Sequence, residues 1–583
     1  MAPNRTIWIL TAAFALASTA ADAQVSDARI HELIKQAAEQ QSQADASAQP
    51  PATGGAAQAR PVVRLTLDEA VKLALDRNLD IAVQRLNPEI NDIAIAGVRS
   101  VYHPTLTSTI GPQSVTQLPT SQLQLGTGGA ATVNETMTYN AGVAQSVPWG
   151  GGSLSVALNN FRRTTNSNNA LFNPQFQSAW SFAYTQPLMR NFTTDTTRQQ
   201  LMVTKINRDI SDVQLRATVT NTLSNVRNAY WDYVFAVQSV EVANKSVSLA
   251  EQLVKDNQTR VEVGTMAPID VVQAQSQAAT ARQNLAVAQQ TMRTAELTLK
   301  RLIVAGTQDP NWSAQLDPID RPEFSTQSID IEAAVRRALS ERTDLEIARK
   351  NVQSNDVTLK FLRDQLKPQA DLAVSYIPQG VGGTQIIRQS NTQLGSTISQ
   401  QVPLGISEAF STLFRNQYPQ WTAQLNFSYP LGTSSQEANV ARARVQLNQV
   451  QAQVKQIELQ VATDVTNAAV TVQSNSERVQ AAQAARELAE KQLEAEQSKF
   501  EVGMSTNYNV IQSQRDLATA QNNELQAILN YRKSLVELER LQQTTLQNLN
   551  ITVINATGGT GGTTNTNTNT NSTTGTTNRT GGQ

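Results

Sequence analysis

Residues capable of covalent or metal chemistry are scarce in this chain, and this limits the functions open to it. The sequence has no cysteine, and its two histidines are His31 and His103. His31 lies in a Gln/Ala-rich stretch and His103 at a predicted helix end, so neither belongs to a catalytic triad or a metal cluster. The sequence therefore predicts no enzyme activity, no metal site and no cofactor.

Polar residues with a more informative spacing follow two similar glycine turns. Glu262-Val263-Gly264 is matched by Glu501-Val502-Gly503, and each turn ends a long helical pattern and precedes another. Gln273 after the first turn corresponds to Gln512 after the second. Glycine can adopt the positive φ that caps a helix C-terminus. The sequence therefore predicts two equivalent helix hairpins.

These turns belong to a repeat that covers most of the chain. The segment Leu67–Val71 recurs as Ile331–Val335. A repeat of about 250 residues is too long for a solenoid unit, so it indicates a duplicated half-domain.

The longest helices are indicated by apolar residues at 4-3-4-3 spacing, which is typical of coiled coils. The first series is Val219, Leu223, Val226, Tyr230, Tyr233, Val237 and Val240, and the second is Val440, Ala443, Leu447, Val450, Val454, Ile457 and Val461. No Pro or Gly interrupts Leu201–Val261 or Ala438–Val502. Each helix could run about 90 Å. We expect two shorter helices, end to end, to flank each long one.

The ends of the chain have their own signals. Residues 1–23 read as a signal peptide with an Ala21-Asp22-Ala23 cleavage site, and residues 24–60 as a Gln/Ala/Pro-rich tether. Residues 551–583, rich in Thr, Asn and Gly, are expected to be a disordered tail.

A net charge of −1 gives no electrostatic basis for binding nucleic acid.

Strand patterns alternate apolar and polar residues, as in Trp421–Tyr429 and Trp180–Tyr184. Such a sheet is either half of a soluble sandwich or part of an outer-membrane barrel with one face in lipid. The export signal favours the barrel. About four strands per chain cannot close a barrel, and open edges in lipid cost several kcal/mol per unpaired group. We therefore expect a trimer with about twelve strands.

Three pairs of motifs resemble one known family. They are Leu65–Leu75 with Ile329–Leu339, Gln186-Pro187-Leu188 with Tyr429-Pro430-Leu431, and the two glycine turns. In their order and duplication they resemble the outer-membrane efflux proteins, the TolC-like trimeric channel-tunnels of Gram-negative bacteria.

The resemblance implies an α+β fold in which a trimeric outer-membrane β-barrel is continued by a long periplasmic α-helical coiled-coil barrel. The first structural repeat would span 61–310, with strands within 104–188 and helices at 195–262 and 268–304. The second would span 311–550, with an equatorial segment at 305–340, strands within 368–431 and helices at 435–501 and 508–545.

The resemblance also implies a function. Family members are passive exit ducts of tripartite efflux pumps or type I secretion systems, embedded in outer-membrane lipid. As a homotrimer the chain would receive substrates from an inner-membrane transporter of the RND, ABC or MFS type. A periplasmic adaptor would dock on the hairpin tips, at Val263, Gly264, Thr265, Val502, Gly503 and Met504. The alternative is a periplasmic coiled-coil scaffold or adaptor protein without channel activity.

The second tip departs from the family pattern at the gate. The positions that carry acidic residues in well-known members are Asn509 and Gln512 here, and the usual arginine is Ser505. Without that arginine, Asp270 has no evident charged partner, and Phe500 stands where a tyrosine usually assists. We hypothesise a gate held by packing and by neutral hydrogen bonds at Asn509 and Gln512. Alternatively, these two are solvated turn residues.

Overall fold

The computed structural model describes residues 61–118, 120, 130–321, 324–326, 328–389, 398–432 and 434–551. The expected signal peptide, the tether and, apart from Ile551, the tail lie outside these residues. All elements described below belong to the unit that begins at Val62.

In chain order, the first part contains β1 (Val62–Leu65), α1 (Leu67–Arg77), α2 (Leu79–Arg99), β2 (Thr105–Gln117), β3 (Thr132–Ser146), β4 (Ser153–Thr165), β5 (Phe172–Pro187), α3 (Thr196–Glu262) and α4 (Pro268–Ile303). The second contains α5 (Pro310–Ser313), β6 (Gln315–Pro318), α6 (Ile331–Glu341), α7 (Thr343–Asp364), β7 (Gln369–Arg388), β8 (Ile398–Leu404), α8 (Ile406–Phe414), β9 (Tyr418–Ser428), α9 (Ser435–Glu501), α10 (Asn507–Leu541) and α11 (Thr545–Asn548).

The two long helices, α3 and α9, have 67 residues each, about 100 Å at 1.5 Å per residue. Both begin at side-chain caps, because Asp195 accepts from the Arg198 N–H and Ser434 from the Glu437 N–H. The expected end-to-end layout is confirmed. Both α2 and α4 pack on α3, while α7 and α10 both pack on α9 and also contact α3. The helices thus form four lanes in the order α2/α4, α3, α7/α10, α9.

A small parallel sheet of β1 and β6 fastens the middle of α3. The Tyr230 hydroxyl donates to the Leu65 carbonyl (3.1 Å) and to Asp320 Oδ2 (2.8 Å), and the Tyr233 hydroxyl donates to the Leu316 carbonyl (2.5 Å). Burial raises the pKa of both tyrosines, so both stay protonated as donors. These two heptad residues therefore attach the long helix to the small β1–β6 sheet, which we call the belt, in addition to packing in the helical core.

Buried charge also supports this belt. Lys300 and Glu296 form an ion pair (2.8 Å) with side chains 4% and 11% exposed. Lys300 Nζ donates to the Ala314 carbonyl, and Glu296 accepts from the Leu316 N–H. Each charge thus has a second partner, at Ala314 just before β6 for Lys300 and at Leu316 within β6 for Glu296.

The large sheet corrects the expected strand number. Within the described residues it has seven strands rather than about four, in the antiparallel order β2-β3-β4-β5-β7, followed on the far edge of β7 by both β8 and β9. β9 pairs with Gln369–Gln379 and β8 with Gly383–Arg388. Two strands come from the hairpin β3–β4, whose Pro148–Gly152 turn lies against Gln186 at the helix-proximal end of β5.

The sheet has one apolar face and one polar face in register across its strands. The apolar face includes a row of Leu106, Val143, Val156, Phe182, Tyr376 and Trp421. Most of this row is exposed in the single chain. No other layer covers this row in the single chain, so the row is not the core of a soluble sandwich.

The apolar residues around Phe410 form a helix rather than a simple loop. α8 lies between β8 and β9 and packs against Gly380 and Gly382, where any Cβ would stand within 3 Å of the α8 backbone. Thr412 Oγ1 accepts from the Val381 N–H (3.0 Å), which is left unpaired between β9 and β8. The helix thereby provides a hydrogen-bond acceptor for a backbone N–H that the gap between β9 and β8 leaves without a strand partner.

Candidate functional site at the hairpin tips

Both hairpins turn by the same backbone motif. Gly264 has φ 75° and Gly503 has φ 79°. In the first turn the Gly264 N–H donates to the Val261 carbonyl and the Thr265 N–H to the Arg260 carbonyl; the second repeats both bonds one repeat later. This pair of bonds is the Schellman motif, which favours glycine at the residue with positive φ. Pro268 then starts α4.

The two hairpins are joined just behind their turns by buried amides. Asn257 is 0% and Asn507 is 3% exposed. Asn257 Nδ2 donates to Asn507 Oδ1 (2.9 Å), and Asn507 Nδ2 donates to the backbone carbonyl of Asp270 (3.2 Å). We call Asn257, Asn507 and this carbonyl the amide clasp. It connects α3 and α4 of the first hairpin with α10 of the second.

Apolar packing surrounds the clasp. Phe500 is buried in a cluster with Leu253, Ala274, Val510 and Ile511. The Arg260 guanidinium lies 4.5 Å above the Phe500 ring, and its Nη1 donates to the Phe500 carbonyl (3.2 Å). The cation thus contacts an aromatic face and a carbonyl rather than a carboxylate.

The residues predicted for the gate occupy different positions around this clasp. Phe500 lies in the apolar cluster, and Asp270 contributes its backbone carbonyl. Asn509 donates to Ser505 Oγ (3.3 Å) and Gln512 to Asp516 (2.8 Å), both exposed and both within the second hairpin. Gln273 is exposed.

Ser505 supports the second turn from within its own hairpin. Its hydroxyl donates to Glu496 (2.7 Å), which also pairs with Lys499 (2.7 Å). The hydrogen bond from Lys499, followed by that from Ser505, lowers the pKa of Glu496. In the single chain, the bonds that cross between hairpins are therefore made by residues other than Asn509 and Gln512.

Asn257 and Asn507 are the residues that sequence reasoning missed. Asn257 follows Ala250 and Leu253 at the 3-4 spacing of the buried seam. An asparagine at such a core position is a known specifier of coiled-coil register, so its position was a usable signal. Its partner, 250 residues away in the sequence, could not be identified from spacing.

Two kinds of feature are absent from the described residues. No group of three acidic or histidine side chains there could hold a metal ion. No helix among those residues has the length and apolarity needed to cross a bilayer.

A family model described as "outer membrane efflux protein" matches residues 153–304 and 334–542. The chain belongs to the outer membrane efflux protein family. No curated protein sequence matches it. Membership places the chain in the outer membrane, as an efflux channel with a periplasmic tunnel, in a family of channels rather than enzymes.

Solved structures share the fold at low sequence identity. The CmeC outer membrane channel of Campylobacter jejuni has a TM-score of 0.57 at 13% identity, over 83% of this chain and 88% of that one. The outer membrane protein VceC of Vibrio cholerae gives 0.57 at 13%, over 82% and 95%. The MtrE channel of Neisseria gonorrhoeae gives 0.55 at 16%, over 82% and 88%.

Proposed function

We propose that three copies of this chain close into a passive exit duct. Its sheet forms the outer-membrane barrel and its helices the periplasmic tunnel, and the duplication makes the two halves of each chain quasi-equivalent. Substrates would enter from an inner-membrane transporter of the RND, ABC or MFS type, through a periplasmic adaptor, in a tripartite pump or a type I secretion system.

The observation that carries the proposal is the state of the sheet edges. β2 and β9 lie on opposite edges of the sheet, and their residues are exposed almost throughout. Unpaired edges cost several kcal/mol per group in hydrocarbon, and the uncovered apolar face is suited to lipid. Pairing the edge formed by β9 and β8 of one copy with β2 of the next removes both open edges at once.

The helices show a matching unpartnered seam. On α2, Val83, Leu86, Ile90 and Ile93 follow 3-4-3 spacing, and each is more than half exposed. Because α2 and α9 occupy the outer lanes, the α2 stripe of one copy faces α9 of the next when the edge strands pair. On α9, Val445 and Leu459 are exposed apolar residues available for that contact. The same arrangement of neighbouring copies therefore covers both the open strand edges and the exposed apolar residues of the helices.

The hairpin tips are available for the adaptor. Val263, Val502 and Met504 are exposed apolar residues on the two turns. Exposed apolar groups on rigid turns are suited to docking a partner. Gly264 and Gly503 fix the turns, and Thr265 completes the first with a hydrogen bond to the Arg260 carbonyl (3.0 Å).

Disruption of the α2 seam tests the assembly. Ile90→Asp places a charge in the proposed contact between copies, whereas Glu89→Asp is a matched surface control. We expect Ile90→Asp to abolish the trimer in native mass measurements from detergent and to abolish efflux. A wild-type chain that is monomeric and soluble without detergent would refute the duct. That result would favour the scaffold alternative, which does not account for the uncovered apolar face.

A further inference from the structure

The seven strands occupy six side-by-side positions, which we call lanes, because β8 and β9 follow one another along the same edge of β7. Each chain therefore contributes six strand widths to a barrel. The extra lanes relative to a four-strand contribution are β3 and β4. These strands pair over their full length with their neighbours β2 and β5, so they belong to the wall.

Six lanes match the width of the helical part. At a spacing of about 4.8 Å and a tilt of about 40°, six strands span about 38 Å of circumference. Four helix lanes at 8–10 Å span about 32–40 Å. Four strands would span only about 25 Å. The hairpin β3–β4 therefore gives the barrel about the same circumference as the helices beneath it.

The polar face of the sheet, which faces the lumen in this arrangement, consists almost entirely of uncharged residues. Its strand positions are mainly Thr, Ser, Asn, Gln, Ala and Gly, with Asp371 near the helical end and Arg163 toward the outer end. Amides form a hydrogen-bonded row across three lanes, from Gln177 to Gln379 (3.1 Å) and from Gln379 to Gln420 (3.1 Å).

We infer that the outer-membrane segment is a wide pore of eighteen strand positions whose lumen is almost free of charged residues. Because barrel diameter grows roughly linearly with strand number, it is about one and a half times as wide as a twelve-strand pore. Such a lumen passes bulky polar cargo without selecting it by charge. The inference rests on the proposed function, since it requires three copies.

Thiol labelling measures both properties from outside intact cells, because the chain has no cysteine of its own. Ser181→Cys places one thiol on the polar face, opposite Ala157, and Val156→Cys places one on the apolar face. The probes are maleimide-polyethylene glycols of increasing size and a matched pair of cationic and anionic methanethiosulfonates. A companion variant of Ser181→Cys lacks residues 132–165, which removes β3 and β4 and connects β2 directly to β5.

We expect the Ser181→Cys thiol to react with large polymers, and the size limit to fall to about two-thirds when the hairpin is removed. The cationic and anionic reagents should react within about twofold of each other, and Val156→Cys should resist every polymer. A limit unchanged by excision, or a tenfold preference for one charge, would overturn the inference. If the excised chain does not assemble, exclusion of all but the smallest polymers from the full-length trimer is sufficient to overturn it. A chain that forms no trimer contradicts the proposed function itself.

Discussion

Removing one half of the amide clasp should open the periplasmic end. Asn507→Ala deletes the acceptor of Asn257 Nδ2, leaving that donor buried at 0% exposure with only the Asp270 carbonyl at 3.5 Å. A buried polar group without a good partner costs about 1–3 kcal/mol. Separation of the hairpins exposes the group to water and relieves this cost. The ratio of open to closed tips should therefore rise about 5- to 150-fold.

Single-channel recording of purified trimers in planar bilayers measures that ratio. The matched control is Asn509→Ala, which removes an exposed bond within the second hairpin and should change the open fraction less than threefold. The double variant Asn257→Leu/Asn507→Leu replaces both amides with apolar groups of similar size. It should return toward wild type, because no side-chain amide is then left unpaired, and only the Asp270 carbonyl loses its side-chain donors.

Two results would refute this reasoning. If Asn507→Ala keeps the wild-type open fraction while Asn509→Ala raises it, the gate lies at the exposed positions and the clasp only supports the fold. If the double variant is as open as the single one, opening is caused by loss of the specific hydrogen bond between the two amides, and not by the cost of a buried donor without a partner.

Three further predictions concern pH and stability. The clasp amides do not titrate. The hydrogen bond from Lys499 lowers the pKa of Glu496 below its ordinary value of 4.5, so this interaction is complete above that value and is lost only as the pH falls through the lowered pKa. Bilayer recordings should therefore show an open fraction that is constant within about twofold between about pH 6 and pH 9. Lys300→Met leaves Glu296 buried without its cation and should destabilise the fold by about 3–5 kcal/mol, whereas Lys300→Met/Glu296→Leu should recover part of this in denaturant titration. Gly380→Ala places a methyl group 1.8 Å from an α8 carbonyl and should displace α8, seen as increased proteolysis at α8 with the helical signal unchanged.

The helical part of this fold could be predicted because its signals are local. Heptad spacing and the lack of Pro and Gly define α3 and α9 within one continuous segment, and Gly264 and Gly503 mark their ends. The expected spans 195–262 and 435–501 compare with Thr196–Glu262 and Ser435–Glu501. Each signal depends on neighbours within one or two turns of helix.

The parts that could not be predicted depend on contacts distant in sequence. The β4 sequence alternates apolar and polar residues, which is typical of a strand, but only its pairing with both β3 and β5 shows that the hairpin belongs to the wall of the sheet. The partner of Asn257 lies on another hairpin. α8 interrupts a strand lane because glycines on β7 leave room for it, and spacing within α8 does not reveal this.

The same side-chain chemistry serves opposite purposes at the two ends of the molecule because hydration differs. At the tip, the amides of Asn257 and Asn507 are removed from water, so water cannot replace a hydrogen bond that is lost, and losing one is costly. On the lumen face, the Gln177–Gln379–Gln420 row lies beside water in the proposed barrel, where a broken bond is replaced at little net cost. A neutral amide thus holds two elements together where it is buried, and allows polar cargo to pass where it is hydrated. A charged group in place of either set of amides would couple closure or passage to pH and salt.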